Sequence, residues 1–142
     1  MVELDHEYSN DKPIEHNWET ILDLERVIPC VDGGSVTEAT APDNVKAQIK
    51  VKMGAMSMTF KGTVAVIEQD PGAHRAVLQV KSREAGGQGH ANADVTFQLA
   101  DGGGKIHTAA QITGKAASMG EGVVQNVLDA LIKDFMSKLA AL

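Results

Sequence analysis

The sequence predicts an α+β protein, a curved antiparallel sheet of about six to seven strands wrapped on one long C-terminal helix, with two short helices after the first strand. Three observations carry that prediction. Residues 118–142 place Met119, Val123, Val127, Leu131, Phe135 and Leu139 at four-residue steps, with Val124, Leu128, Ile132 and Met136 beside them, which makes one broad apolar stripe. Residues 44–115 alternate apolar and polar side chains between glycine-rich turns, the period of strands with one dry and one wet face. Proline and cap-type residues between the first strand and this meander leave room for two short helices only.

Taken in order, residues 1–8 alternate Val2, Leu4 and His6 with Glu3, Asp5 and Glu7, as expected of an edge or closing strand. Ser9, Asn10 and Asp11 offer helix caps, Pro13 suits a first helical turn, and Ile14, Trp18, Ile21 and Leu22 recur at helical spacing. Asp23 is placed to cap a second helix, 24–28, which Pro29 is expected to stop. Asp32, Gly33 and Gly34 form a turn, and residues 36–40 a short strand. In 44–53, Val45, Ala47, Ile49, Val51 and Met53 share one face, and Lys46, Gln48, Lys50 and Lys52 the other. Gly54 and Ala55 turn the chain into a long strand to residue 69, with Gly62 as an expected bulge. Asp70, Pro71 and Gly72 form the next turn, because proline presets one dihedral and glycine accepts a positive one. Strands at 73–83, 91–99 and 105–115 follow, and the S-x-x-E pair Ser118 and Glu121 reads as a capping box opening the last helix. Gly120 and Gly122 soften its first turn.

One domain, 1–142, is the expectation from length. Apolar residues at 43% and charged ones at 23% suit a globular chain with a real core, not a disordered one. The formal charge of −6 argues against nucleic acid as a partner. The lone cysteine, Cys30, points to a reducing compartment. The acidic residues Glu3, Asp5 and Glu7 stand where a secretory signal is basic and apolar, so a soluble, cytoplasmic protein is expected.

The dry face of the sheet under the last helix is the candidate site. From the strands it collects Met53, Met56, Met58, Phe60, Leu78, Val80, Val95, Phe97, Ile106 and Ile112; from the helix region Met119, Val123, Val127, Leu131 and Phe135. These side chains fit a filled core as well as a lined cavity. Aromatics at only 4% of residues leave room for a cavity, since small side chains on a curved sheet leave volume unfilled and methionine adapts to irregular apolar guests, so both readings stand open on the residues alone. Trp18, the two short helices and the glycines at the helix start are expected to form the portal. His6, His16, His74, His90 and His107 show no metal-ligand spacing, and neither glycine run fits a phosphate loop. The inward set offers no acid or base beyond the hydroxyl of Thr108, so catalysis is not expected.

Several stretches carry a family likeness: Trp18 followed by LDLERVIPC at 22–30, VKMG at 51–54, FKG at 60–62, Glu68 and Asp70 with His74 and Arg75, GHA at 89–91 and TGK at 113–115. In that order and spacing the chain resembles the carbon monoxide dehydrogenase CoxG family, within the helix-grip superfamily of Bet v 1-like, START-like and polyketide-cyclase-like (SRPBCC) domains. It departs at 30–33, Cys-Val-Asp-Gly, where the family usually shows Cys-Ile-Pro-Gly. The resemblance implies a non-catalytic accessory of a molybdenum-containing dehydrogenase. On that resemblance the protein would have no intrinsic cofactor, bind a respiratory quinone or lipid between sheet and helix, assist membrane association or electron delivery to the quinone pool, and touch the inner face of the membrane transiently. A cyclase or aromatase of the same fold, or a ligand-free assembly factor, are the alternatives.

Overall fold

Seven antiparallel strands form one sheet in the order β1-β7-β6-β5-β4-β3-β2, in a computed structural model that describes residues 1–142. The elements run β1 (Val2–Ser9), α1 (Ile14–Ile21), α2 (Leu24–Val27), β2 (Gly34–Ala41), β3 (Asn44–Met53), β4 (Met56–Asp70), β5 (Arg75–Glu84), β6 (His90–Ala100), β7 (Gly103–Ile112) and α3 (Glu121–Ala140). Each dry strand face turns toward α3, which closes the sheet once, as a one-sided antiparallel sheet requires. The helix-grip expectation therefore holds, and no helix is long and apolar enough to cross a membrane.

Two short 3-10 turns adjust the expected boundaries. The α-helix does end before Pro29, one residue earlier than expected at Val27, and the chain runs on through a 3-10 turn, Ile28–Cys30, where the missing proline N–H costs nothing. Ser118 lies in a second 3-10 turn, Ala117–Met119, and its hydroxyl donates to the Lys115 carbonyl at 2.6 Å. The capping box therefore does not form: α3 begins three residues later, with Gly120 as its uncapped N-terminal neighbour at φ +99°. Residue 120 adopts a backbone that only glycine enters freely.

The first helix is likewise capped from afar. Pro13 precedes it without a side-chain cap, and neither Ser9 nor Asp11 reaches its amides. Instead the Ile14 N–H donates to Asp101 Oδ1 of the β6–β7 turn at 2.8 Å. The buried Asn17 adds a bond from its Nδ2 to the Ala100 carbonyl at 2.9 Å. Together they fasten α1 to the far end of the sheet.

Gly62 is not a bulge. It pairs in register with Ala47 and Ser82, and the irregularity in β4 lies between Val66 and Glu68. The glycine is required for another reason: a Cβ there would sit 1.8 Å from the Lys81 carbonyl oxygen. Neighbouring backbones approach too closely for any side chain on that face.

On α3 the expected stripe is also rotated. Four-residue steps overrun the 3.6-residue turn, so such a line winds round the helix by about 40° per step. Val124, Phe135 and Leu139 are buried, whereas Val123 is 40% exposed. One polar link ties the middle of α3 to the sheet: His6 on β1 meets Asp129 Oδ1 through Nε2 at 2.6 Å, with the imidazole almost fully buried. Lys133 pairs with the same carboxylate at 2.9 Å. Lys133 first and His6 second hold the Asp129 carboxyl below its ordinary range.

Candidate functional site

The strand registers decide where space is left. Across β3, β4, β5 and β6, Ala47, Gly62, Ser82 and Ala91 stand opposite one another. In the neighbouring row, Val64, Val80, Ala93 and Ala110 do the same. Two adjacent rows of small side chains therefore cross the concave face. Interiors pack to the density of organic crystals, and side chains this short cannot reach a helix held at normal distance.

A cavity of about 230 Å³ lies over these rows. Its floor is Ala47, Gly62, Val64, Val80, Ser82, Ala93 and, in the next row, Leu78, Val95 and Thr108. Ile49 and Phe60 wall one end, and Phe97, Ile106 and Phe135 the other. Leu128, Leu131 and Ile132 of α3 form the roof, while Val27, Ile28 and Val31 close the side. No titratable side chain lines it. The buried polar group at the floor is Thr108, and the Ser82 hydroxyl is committed to the Ala91 carbonyl at 2.5 Å.

Of the residues expected at the site, the structure brings Phe60, Leu78, Val80, Val95, Phe97, Ile106, Leu131 and Phe135 to the cavity. Met53, Met56, Met58, Ile112, Met119 and Val127 belong instead to a separate packed cluster under the first turns of α3, together with Val51, Ala116 and Val124. Ile112 ends the row of Ala91 at the β7 side, and Met58 and the Met53–Met56 pair lie two and three inward rows beyond the small side chains, so these residues pack with each other. Trp18 lines neither space; it packs against the other core cluster, edge-on to His74 with ring centroids 5.7 Å apart. Val123 is on an outer wall. Sequence reasoning missed Val27, Ile28, Val31, Ala47, Ile49, Val64, Ala93, Leu128 and Ile132 as lining residues. Alternation did place Ala47 and Ile49 inward, but only the register shows that the small ones stand side by side.

Next to the cavity an open groove of about 710 Å³ runs between α3 and the end of β3. Val123, Asn126, Val127, Ala130 and Asp134 form its helix side, and Asp32, Gly33, Lys50, Val51, Lys52 and Ser57 the other. Leu131 lines both spaces, and Val31, Gly34, Ile49 and Leu128 of the cavity are chain neighbours of Asp32, Gly33, Lys50 and Val127 of the groove, so the groove adjoins the cavity on the side where α3 faces the end of β3.

Nucleophile chemistry has no support at Cys30. Its thiol is buried and points back to the Arg26 carbonyl at 3.5 Å, and burial pushes its pKa up, with Lys138 and Arg26 opposing. Burial likewise pushes the Tyr8 phenol up to about 12, keeping it neutral.

A family model described as the CoxG component of carbon monoxide dehydrogenase matches residues 7–141. No curated protein matches the chain. Among solved structures, a conserved protein from Geobacillus kaustophilus superposes with a TM-score of 0.82 at 22% identity, covering 99% of this chain and 93% of that one. The Zhui aromatase/cyclase from Streptomyces sp. R1128 gives a TM-score of 0.63 at 10% identity, covering 99% and 92%. Ara h 8.0201 gives 0.56 at 12% identity, covering 99% and 95%. At these identities the structural likeness is one of fold.

Proposed function

This chain belongs to the carbon monoxide dehydrogenase CoxG family, and on that premise we propose that it is a non-catalytic carrier. In this reading it holds one hydrophobic molecule, a respiratory quinone or a lipid, and serves a molybdenum-containing dehydrogenase at the inner face of the membrane. The observation that carries the reading is the apolar cavity of about 230 Å³ between sheet and helix. A dry engineered cavity of roughly 150 Å³ accepts benzene, so this one takes a substituted ring or the end of a chain. Ligand sites usually span about 300–1,000 Å³, a range the adjoining groove brings within reach for the rest of the molecule. Acid–base chemistry on a bound ligand would need a titratable group at the reacting atoms. The lining has none, which favours a carrier over a cyclase.

The test is uptake. Purified protein is incubated with a short-chain naphthoquinone and with an extracted lipid mixture, then examined by native mass spectrometry. A one-to-one adduct is expected. Ala93→Leu, which puts a larger side chain onto the cavity floor, is expected to cut uptake about tenfold while leaving folding intact, because added volume enters empty space and not a packed core. A protein that takes up no apolar probe overturns the carrier reading.

A further inference from the structure

The groove beside the cavity carries two lysines, Lys50 and Lys52, at the end of β3. The pairing of β2 with β3 begins at Gly34 opposite Ile49. Past that point only the Lys50 N–H finds a partner on this edge, the Gly33 carbonyl at 3.1 Å, and Lys52 has no residue of β2 opposite it. The edge of β3 is therefore open where the groove begins. Lys50 and Lys52 are two residues apart on a strand, so both stems leave the same side roughly 7 Å apart. Stems of that length can lay their ammonium groups over the open edge. The strand's other lysine is engaged, Lys46 with Glu38 at 3.2 Å, but neither Lys50 nor Lys52 has a carboxylate partner. Of the two carboxylates in the groove, Asp134 is committed to Lys138 at 3.0 Å, leaving Asp32 alone against two ammonium groups. Ser57 and Asn126 add neutral donors. A local positive excess beside an apolar cavity, in a chain of formal charge −6, is a feature that a neutral guest does not use.

Resting on the carrier reading above, we propose that the groove holds the anionic head, a carboxylate or a phosphate, of an amphiphile whose apolar end occupies the cavity. Lys50 and Lys52 supply the charge and Ser57 and Asn126 the hydrogen bonds. Of the two ligand types considered, this selects a lipid with an acidic head over a neutral quinone.

Calorimetric titration with decanol, decanoate, decyl phosphate and decyltrimethylammonium separates the parts. Exposed ion pairs are individually weak, so decanoate is expected to bind about fivefold tighter than decanol, and the cationic probe more weakly than either. A further gain with decyl phosphate identifies phosphate as the preferred head, whereas equal affinity identifies a carboxylate. In the Lys50→Gln/Lys52→Gln protein, both positions being exposed, the preference is expected to vanish with decanol affinity unchanged. Decanol bound as tightly as decanoate, or a preference that survives the double substitution, overturns the head-group inference and leaves the carrier reading standing. Failure of all four probes, decanol included, overturns both.

Discussion

The two ends of α3 are held in different ways. At its C-terminal end Phe135 and Leu139 enter a cluster with Ile21, Leu24 and Val27 of the short helices and with Phe97, Leu99 and Ile106 of the sheet. Ile21 and Leu24 have no exposed surface at all. At the N-terminal end Val124 alone is buried, resting on Met53, Met58 and Phe60, while the neighbouring Val123 faces the groove. Branched aliphatics and aromatics with few rotamers grip one half; flexible thioethers support the other. The cavity lies between, and the groove runs beside the loosely held half. One end of the helix is thereby anchored by three elements, and the other rests on a smaller cluster.

The largest expected effect is at the anchor. Leu24→Ala should cost about 3 kcal/mol in urea unfolding, the usual toll for a fully buried leucine, while Met58→Ala should cost nearer about 2 kcal/mol because its neighbours can relax into the gap. Equal costs would erase the distinction between the ends. A smaller effect is expected at Gly120, where φ is +99° and an added Cβ meets no atom within 4 Å. Gly120→Ala should destabilise by about 1 kcal/mol through backbone strain alone, and should slow ligand uptake measured by stopped flow if the first turn of α3 moves on entry. Unchanged uptake kinetics would mean that the half beside the groove is as fixed as the other.

The smallest effect separates the strand that α3 rests on from its outer face. His107 on β7 donates to Asp5 Oδ1 of β1 at 2.7 Å, a bond that raises the imidazole pKa, with Glu3 adding to it. A raised folded-state pKa stabilises the protein below the unfolded value of about 6.5, and that contribution is lost as pH rises through the higher folded value. Because the pair is exposed, His107→Gln should remove only about 0.3 kcal/mol at a pH of about 6 and almost nothing at about pH 9. An effect as large as that at Leu24 would show that β1 is an anchor in its own right.

Much of the architecture was legible in residue order. The alternation of Val45 to Met53, the Asp70-Pro71-Gly72 turn and the apolar run after residue 118 fix strands, turns and a covering helix through strictly local preferences. Boundaries governed by distant partners were not legible. Asp101 caps a helix eighty-seven residues earlier in the chain, and Ser118, which looks like a cap, spends its hydroxyl on a 3-10 turn. About half of the expected lining residues reach the cavity; the methionines do not, because inward orientation says nothing about position along the sheet.

The sequence by itself determined that one face of a strand meander is apolar and that a long helix must cover it, since periods of two and about 3.6 are local properties of the backbone. Only the tertiary structure decided where the hollow lies. Ala47, Gly62, Ser82 and Ala91 come from four strands and meet in one row through cross-strand register. Emptiness is a property of neighbours in space, and a void forms where short side chains from remote segments are brought face to face under a helix whose ends are propped apart by larger ones.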